Sequence, residues 1–252
     1  MKISIITVCY RAVSTIEACI QSVLGQTYAD IEYIIVDGGS IDGTVEIIKR
    51  FEDQIHTVIS EPDRGIYDAM NKGIAVATGD IVGILNADDV YAHRHAVEHI
   101  VNQFKLTKAQ AVYADLVYMD FGLQQVTRYW KSTKYHDGDF LLGWMPPHPT
   151  FFVEKSVYQQ YGDFRLDMGS AADYELMLRF IHKHGIRVAY LPDIIIKMRE
   201  GGVSNSSLLN RLKANQADRR AWDINGLKPF FYTLWFKPLR KISQFFNKDV
   251  TV

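Results

Sequence analysis

The stretch IVGILNADDVYAHRH, residues 81–95, begins like a buried strand and stops abruptly on the adjacent carboxylates Asp88 and Asp89. Like charges that close repel each other, and in a sheltered site their ionised forms need a cation or hydrogen-bond donors. Two interpretations fit this pattern. Either residue could cap a helix running to Phe104, because Asp is a preferred N-cap, or the pair could hold a metal ion.

The composition is that of a soluble globular protein, with 252 residues, 48% hydrophobic and 23% charged. Its two cysteines, Cys9 and Cys19, cannot form a disulfide framework and suit a reducing compartment. The apolar run after Lys2 is too short for a signal peptide, and no segment reaches the roughly 18 apolar residues of a spanning helix. We therefore expect a cytoplasmic protein.

The first half of the chain alternates apolar strands with amphipathic helices. ISIITV, IEYIIVDGG, HTVIS and DIVGILNADD have the pattern of strands, and the segments between them have that of helices. This alternation predicts an α/β fold with a mainly parallel sheet covered by helices, in which ligands bind beyond the carboxyl ends of the strands. Polar residues close these strands: Thr7 and Tyr10, Asp37, Glu61 and Asp63, and Asp88 and Asp89.

Two common nucleotide-binding loops are excluded. The first strand is followed by CYRAVST, which lacks the glycines of a dinucleotide-binding turn, and no G-x-x-x-x-G-K-[ST] phosphate loop occurs. After about residue 110, AVYADLVYMD, QQVTRYW and TFFVEKSVYQQYG predict strands added to the same sheet. The helix DYELMLRFIHKHG is expected to end at Gly185, before a strand RVAYLPDIIIKM and a mobile loop REGGVSNSS.

Four motifs occur in one order: SIITVCYRA, IIVDGGSIDGT, PDRGIYDAMNKGIAVATGDIVGILNADD and ADYELMLR. On the basis of these four motifs, the sequence resembles family 2 of the glycosyltransferases over roughly residues 1–200. The members of this family are inverting enzymes with the GT-A fold. The variant PDRGIYDAMNKG resembles bacterial enzymes that build O-antigen, colanic acid or other exopolysaccharides. The resemblance implies a catalytic domain over 1–205, with a nucleotide-sugar half over 1–110 and an acceptor half over 111–205.

The resemblance also implies roles for the acid pair, as we call Asp88 and Asp89. NADD matches the family's DXD motif, so Asp89 is expected to bind Mn²⁺ or Mg²⁺ and Asp88 to contact the donor ribose. Hard oxygen ligands suit these ions, which often take only one or two protein carboxylates plus phosphate oxygens. By the same matching, the remaining nucleotide contacts are expected from Thr7, Tyr10 and Asp37, around a uracil base, and from Arg64.

Asp173, in SAADYELMLR, matches the family's catalytic base. Inversion requires a carboxylate close to the acceptor hydroxyl. The family usually has an acidic residue just before this aspartate, and here Ala172 stands there, so no second carboxylate is expected to help. His148 is expected near the acceptor or metal, although a structural histidine is an open alternative, and Arg199 is a candidate countercharge for the diphosphate.

The C-terminal segment, residues 206–252, is basic and aromatic. Residues 211–248 carry nine Lys or Arg and two Asp, whereas the whole chain has a net charge of −1. An apolar face is formed at helical spacing by Phe231, Leu234, Trp235, Leu239, Ile242, Phe245 and Phe246. This composition predicts an amphipathic helical tail on an anionic membrane surface; the alternatives are packing on the body or on a second subunit as a homodimer. Nucleic-acid binding is not expected.

Together these features predict a metal-dependent inverting hexosyltransferase. The donor is expected to be a UDP-sugar, and the acceptor a sugar on a polyprenyl diphosphate at the inner face of the cytoplasmic membrane, in surface polysaccharide synthesis. Two alternatives stay open. A sugar-nucleotide nucleotidyltransferase would need an N-terminal glycine-rich signature that this chain lacks, and a non-catalytic sugar-nucleotide sensor would need no base at Asp173.

Overall fold

The computed structural model describes residues 1–201, 208–240 and 244. Its strands form one nine-stranded sheet in the order β3-β2-β1-β4-β8-β6-β9-β5, with β7 paired to β6. The strands are β1 (Ile3–Cys9), β2 (Ile31–Asp37), β3 (Thr57–Ser60), β4 (Ile81–Asn86), β5 (Val90–Tyr91), β6 (Ala111–Met119), β7 (Val126–Trp130), β8 (Phe152–Glu154) and β9 (Val188–Arg199). The α/β fold expected from the alternating pattern is confirmed.

Four parallel strands, β3-β2-β1-β4, form the first half of the sheet. The second half is mixed. Strand β8 is antiparallel to both β4 and β6, and β6 is parallel to β9. Alternate residues of the central strands point to opposite faces, so that Ile6 and Val8 enter one core cluster while Ile5 and Cys9 enter the other.

Eight α-helices occur among the described residues. They are α1 (Ile16–Leu24), α2 (Thr44–Lys49), α3 (Ile66–Val76), α4 (Ala96–Thr107), α5 (Lys155–Tyr161), α6 (Ala172–Met177), α7 (Leu208–Ile224) and α8 (Thr233–Arg240). Helix α5 corrects the prediction that 155–161 continue a strand. Val157 and Tyr158 are buried, whereas Ser156, Gln159 and Gln160 are exposed, which is a helical pattern. Gly162 ends the helix at φ 84°.

The described part of the C-terminal segment packs on the body. Trp222 of α7 is fully buried, and its Nε1 donates to the Tyr174 hydroxyl at 2.9 Å. Thr233 at the start of α8 is also fully buried and donates to the Leu141 carbonyl at 2.6 Å. Phe231 lies before α8 and is 90% exposed, so it does not share the face of Leu234, which packs on the core.

Some predictions fall on residues outside those described. These are the loop after Gly201 and the apolar positions Ile242, Phe245 and Phe246 of the tail. The divisions at residues 110 and 205 and the membrane association of the tail stay predictions. Within the described ranges, no helix has both the length and the apolar character needed to cross a membrane.

Candidate active site

The acid pair lies in a turn between β4 and β5, at the carboxyl edge of the parallel strands. The Asp89 amide donates to the Asn86 carbonyl at 3.0 Å, and β5 begins at the next residue. Helix α4 begins only at Ala96, with His95 as its N-cap. The interpretation of Asp88 or Asp89 as a helix cap is therefore wrong, because a strand separates them from the helix.

Burial makes Asp89 an unusual carboxylate. The residue is fully buried, and its Oδ2 accepts from the Asn86 amide at 3.3 Å. Its Oδ1 and the Oδ1 of Asn86 have no hydrogen-bond partner among the described residues. Burial, and next the charge of Asp88, raise the pKa of Asp89 well above its usual range. Two orphaned buried oxygens beside a partly buried second carboxylate fit a hard divalent cation.

Arg199, at the end of β9, holds the turn of the acid pair. Its side chain is nearly buried and donates from NH1 to the Asp88 carbonyl at 2.6 Å and from Nε to the Phe121 carbonyl at 3.0 Å. Its charge also favours the ionised form of Asp89. The structure thus gives Arg199 a positioning contact with the acid-pair backbone. Its role as a countercharge for a diphosphate stays a prediction.

Asp37, the last residue of β2, organises the neighbouring loop. It is fully buried, and its Oδ2 accepts from the Gly39 and Ser40 amides at 3.1 and 3.0 Å and from the Ser60 hydroxyl at 2.7 Å. Its Oδ1 faces the Cys9 thiol at 3.6 Å. Oδ2 is therefore fully occupied within the protein, whereas Oδ1 has only the Cys9 thiol as a partner among the described residues.

Tyr10 and Asp63 converge on the loop that Asp37 holds. Tyr10 follows β1, is 57% exposed, and carries the Arg11 guanidinium 5.2 Å from its ring centroid. A Cβ at Gly38 would lie 2.4 Å from Asp63 Oδ2 and 3.4 Å from the Tyr10 ring, so a larger residue there would require the Asp63 side chain to move. The exposed Tyr10 ring and the carboxylates of Asp37 and Asp63 thus lie in neighbouring loops beyond β1, β2 and β3.

Thr7 requires a correction. It was expected at the uracil base, but it is fully buried, and its hydroxyl lies 3.1 Å from the Tyr33 hydroxyl and 3.7 Å from the Cys19 sulfur. The alternation of β1 points its side chain into the core between the sheet and α1. Thr7 therefore cannot contact a nucleotide through its side chain in this structure.

Arg64 lies on the exposed side of the loop before α3. Its guanidinium pairs with Asp68 at 3.0 Å, its amide donates to the same carboxylate at 3.1 Å, and its side chain is 78% exposed. Arg64 directly follows Asp63 in the chain. Its only partner among the described residues is Asp68. A nucleotide contact by Arg64 stays a prediction.

The Asp173 cluster, which we define as Tyr67, His148 and Asp173, lies at the start of α6. Asp173 is partly buried and accepts the Tyr174 amide at 2.7 Å; the N-cap of α6 is Ala171, so Asp173 does not cap the helix. Burial and the adjacent Asp173 raise the pKa of Tyr67. Burial lowers the pKa of His148, and Asp173 opposes this effect. An imidazole and a phenol thus lie near the carboxylate.

Tyr118 of β6 links the acid pair to the Asp173 cluster. Burial raises the pKa of this tyrosine, Arg128 opposes that effect, and Asp89 and Asp173 both raise the pKa further. Both carboxylates therefore influence the same tyrosine.

Sequence reasoning missed Tyr67, Asn86 and Tyr118. Tyr67 and Asn86 lie inside motifs that were already quoted, PDRGIYDAMNKG and NADD, so their positions were visible although their roles were not. Tyr118 comes from a strand in the second half of the chain, and no local pattern distinguishes it from a core tyrosine. It is recognised only through the pairing of β6 with β9.

Comparison with known sequences bears on these residues. Residues 4–164 match the family model described as Glycosyl transferase family 2. An uncharacterized glycosyltransferase of Mycobacterium tuberculosis is 32% identical over 182 residues, which are 70% of this chain and 68% of that protein. A PGL/p-HBAD biosynthesis glycosyltransferase of Mycobacterium bovis is 27% identical over 208 residues, covering 81% of this chain and 79% of that one.

Solved structures resemble the fold at low sequence identity. S. aureus TarS 1–349 in complex with UDP-GlcNAc has a TM-score of 0.70 at 15% identity, covering 98% of this chain and 72% of that one. The mannosyltransferase PcManGT from Pyrobaculum calidifontis, in complex with GDP-Man and Mn²⁺, has a TM-score of 0.67 at 21% identity, covering 94% and 72%. The fold is thus that of GT-A glycosyltransferases such as TarS. Because the family model matches residues 4–164, more than half of the chain, the protein belongs to family 2 of the glycosyltransferases.

Proposed function

We propose that this protein is a metal-dependent inverting hexosyltransferase that uses a UDP-sugar. The observation that carries the proposal is the acid pair, with orphaned oxygens on fully buried Asp89 and on Asn86, together with a further carboxylate, Asp173, next to Tyr67 and His148. A sugar-nucleotide sensor needs the first feature but not the second. Transfer needs both, because the leaving diphosphate and the attacking hydroxyl each require a partner.

The donor nucleotide binds against the loops that carry Tyr10, Asp37 and Asp63. Tyr10 offers an exposed ring for stacking, and Asp37 Oδ1 can accept a ring N–H, which a uracil base supplies at N3. TarS has been solved with UDP and UDP-GlcNAc, whereas PcManGT has been solved with GDP-Man. The fold alone therefore supports a nucleotide-sugar. An acceptor oxygen at Asp37 suits uracil, thymine or guanine, each of which carries a ring N–H, and does not suit cytosine. We choose uridine because the motif resemblance implies a uracil base.

The residues present fit a bound Mn²⁺ or Mg²⁺. Asp89 would hold the ion, with Asp88 directed to the ribose, and Arg199 keeps the turn that carries both carboxylates in place. When bound, the ion would neutralise charge on the diphosphate. The mannosyltransferase PcManGT contains Mn²⁺ together with its nucleotide-sugar, which supports this type of metal.

Asp173 accepts the proton of the acceptor hydroxyl as that oxygen bonds to the anomeric carbon. The bond from the anomeric carbon to the diphosphate oxygen breaks with its electron pair, and the nucleoside diphosphate departs. Attack opposite the leaving group converts an α-linked donor sugar into a β-linked product. Tyr67 and His148 line the same side and position the acceptor, with His148 packed edge-on against Phe164 at 5.5 Å.

The acceptor is a sugar on a polyprenyl diphosphate, and the reaction belongs to surface polysaccharide synthesis such as that of O-antigen. The enzyme works at the inner face of the cytoplasmic membrane. Support comes from three exposed aromatic side chains before and within α8, Phe230, Phe231 and Phe236, next to a basic C-terminal segment. Aromatic and basic groups together suit an anionic lipid interface.

A thermal-shift panel tests the donor site directly. UDP, GDP, CDP and dTDP are each added with and without Mn²⁺ to the wild type and to Asp89→Ala. We expect stabilisation by UDP that requires both Mn²⁺ and Asp89, by about 2.7 kcal/mol at a hundredfold excess over the dissociation constant. Stabilisation by another nucleotide, or by UDP equally in Asp89→Ala, would contradict the donor assignment or the metal ligand, respectively.

A further inference from the structure

Three potential metal ligands meet near the start of α4, outside the proposed active site. We call His93, His99 and Asp193 the His–Asp cluster. Asp193 Oδ2 lies 3.2 Å from His93 Nε2 and 2.7 Å from His99 Nδ1. All three ligand atoms lie within 4.8 Å of one another, and within the described ranges no other three His, Cys, Asp or Glu residues converge in this way.

The cluster is assembled from distant parts of the chain. His93 lies between β5 and α4, His99 lies in the first turn of α4, and Asp193 lies in the middle of β9. Strand pairing fixes this meeting, because Tyr91 pairs with Ile196 and the Ala92 amide donates to the Ile195 carbonyl at 2.9 Å. The ligands are therefore presented by elements that are already anchored, as a preformed site requires.

The hydrogen bonds orient the two imidazoles toward one oxygen. His93 Nδ1 accepts the His95 amide at 3.2 Å, so the proton of a neutral His93 ring lies on Nε2, facing Asp193. A cation would take the place of this proton and of the one that His99 presents. The His93 ring would then carry its proton on Nδ1 and give up the bond from the His95 amide.

We propose that the His–Asp cluster is a second metal site, selective for Zn²⁺ or a similar transition ion and separate from the acid pair. Two imidazoles and one carboxylate suit Zn²⁺, whereas Mg²⁺ and Mn²⁺ suit the oxygen ligands of the acid pair. A cavity of about 360 Å³ adjoins the cluster and is lined by His93, Asp193, Asp115 and Tyr129, among others. It leaves room for a water or a small ligand beside His93 and Asp193.

An ion bound there ties the start of α4 to β9. This tie is a crosslink between parts of the chain that are 94 to 100 residues apart. It also holds the segment that directly follows the acid pair, since His93 lies only four residues after Asp89. The site therefore has a structural consequence that does not depend on transfer activity.

The test uses full-length, untagged protein stripped of metal with a chelator. Zn²⁺ binding is measured by calorimetry, Co²⁺ binding by its visible absorption, and the unfolding midpoint is recorded with and without Zn²⁺. The variants are His99→Ala and Asp193→Asn, with His136→Ala as the matched control. His136 is an exposed histidine that faces a single aspartate, Asp139, at 3.5 Å. The variant Asp89→Ala separates this site from the acid pair.

We expect one Zn²⁺ per chain in the wild type, in His136→Ala and in Asp89→Ala, with a raised unfolding midpoint. His99→Ala and Asp193→Asn should weaken binding by about 100-fold or more and lose the thermal shift. His99 is 46% exposed on its side chain, so its replacement should leave the metal-free midpoint unchanged. Equal Zn²⁺ binding by His99→Ala and His136→Ala would overturn the proposal. So would loss of the Zn²⁺ in Asp89→Ala with retention in His99→Ala.

Discussion

The two carboxylates assigned to chemistry differ in their surroundings, and their surroundings suit different tasks. Asp89 is fully buried with an unpaired oxygen, which favours a proton or a cation at that atom. Asp173 is partly buried, at the start of a helix, and faces a phenol and an imidazole. A base must meet a substrate hydroxyl and release the proton afterwards, so partial exposure is an advantage for Asp173.

Replacing the base should separate binding from turnover. We expect Asp173→Asn to lower kcat by about 100- to 10,000-fold, because the amide cannot accept the proton, while UDP and Mn²⁺ still bind. Steady-state transfer from a UDP-sugar and the thermal-shift panel measure the two properties. Asp223→Asn, at an exposed aspartate of α7, is the control. Full turnover by Asp173→Asn would remove Asp173 from the mechanism.

The location of Asp37 and the acid pair at one edge of the sheet was predictable, because they stand at or just beyond the ends of strands. Parallel strands deliver their last residues to one edge, which is enough to nominate Asp37 and the acid pair. The prediction that Thr7 contacts the base was wrong, because Thr7 lies within β1 and not at its end, and its side chain points into the core. The same limit applies to Arg199, whose contact with the Asp88 carbonyl depends on a pairing across 111 residues.

At the scale of elements, β9 supports the active site from its carboxyl end. Its last residue, Arg199, donates to two carbonyls, one in the turn of the acid pair and one at Phe121. The planar fork of a guanidinium can reach two acceptors at fixed angles, which the ammonium of lysine cannot reproduce. The end of β9 therefore fixes the orientation of the turn that carries the acid pair. Among the described residues, no other strand end holds this turn in the same way.

Arg199→Lys should weaken metal-dependent UDP binding by about 10- to 100-fold, by analogy with other residues that orient metal ligands. The matched control is Arg187→Lys, because Arg187 just before β9 also donates two N–H groups to one carbonyl, that of Lys108, at 3.3 and 3.1 Å. Calorimetric titration of UDP with Mn²⁺ gives the affinities. Equal affinities of the two variants would mean that the Arg199 contact does not position the acid pair.

Elements were predicted well where periodicity extends over a whole segment, as in β1 to β4 and in α1, α3 and α4. The failures have local causes. Residues 155–161 were read with the preceding strand because Val157, Tyr158 and Tyr161 also favour strands, yet the burial pattern there is helical. The acid pair was read as a possible cap because β5 has only two residues, too few to leave a periodic signal.

At the scale of the whole molecule, stability and chemistry are concentrated at opposite ends of the parallel strands. Glu32, near the start of β2, accepts from Lys2 at 2.8 Å, from Ser4 at 2.5 Å, and from the Thr78 amide at 2.6 Å. Burial raises the pKa of Glu32, but these hydrogen bonds outweigh that effect and lower the pKa to about 2. The network joins β1, β2 and the end of α3 far from Asp37.

Glu32→Gln should destabilise the fold at neutral pH by an amount on the order of 2 kcal/mol without changing transfer activity. The folded pKa lies below the ordinary 4.5, so the unfolded chain binds more protons between these values. The additional stability of the wild type over Glu32→Gln is thus complete above about pH 4.5 and should shrink as the pH falls toward 2. Urea unfolding from pH 7 to pH 3 measures this difference in the free energy of unfolding. Glu17→Gln, in an exposed pair with Arg50, should show no such pH dependence.

The C-terminal segment shows what composition can and cannot predict. Its aromatic and basic residues predicted a helical tail on a membrane surface, with packing on the body as an alternative, and Trp222 fills the same core as the sheet and α6. Composition reports which groups are present, and only the three-dimensional structure decides which of them face inward. Phe231 and Trp222 are both large aromatic residues, yet Phe231 is exposed and Trp222 is buried.

The short strand β8 has a consequence for synthesis of the chain. Its three residues are inserted between β4 and β6, although they follow both in the sequence. While the ribosome has made only the first 120 or so residues, β4 therefore has no neighbour on one side, and its backbone groups stay open to another nascent chain. Pairing of that edge of β4 waits for Phe152 to emerge. Slow translation before that point should favour aggregation more than slow translation after it.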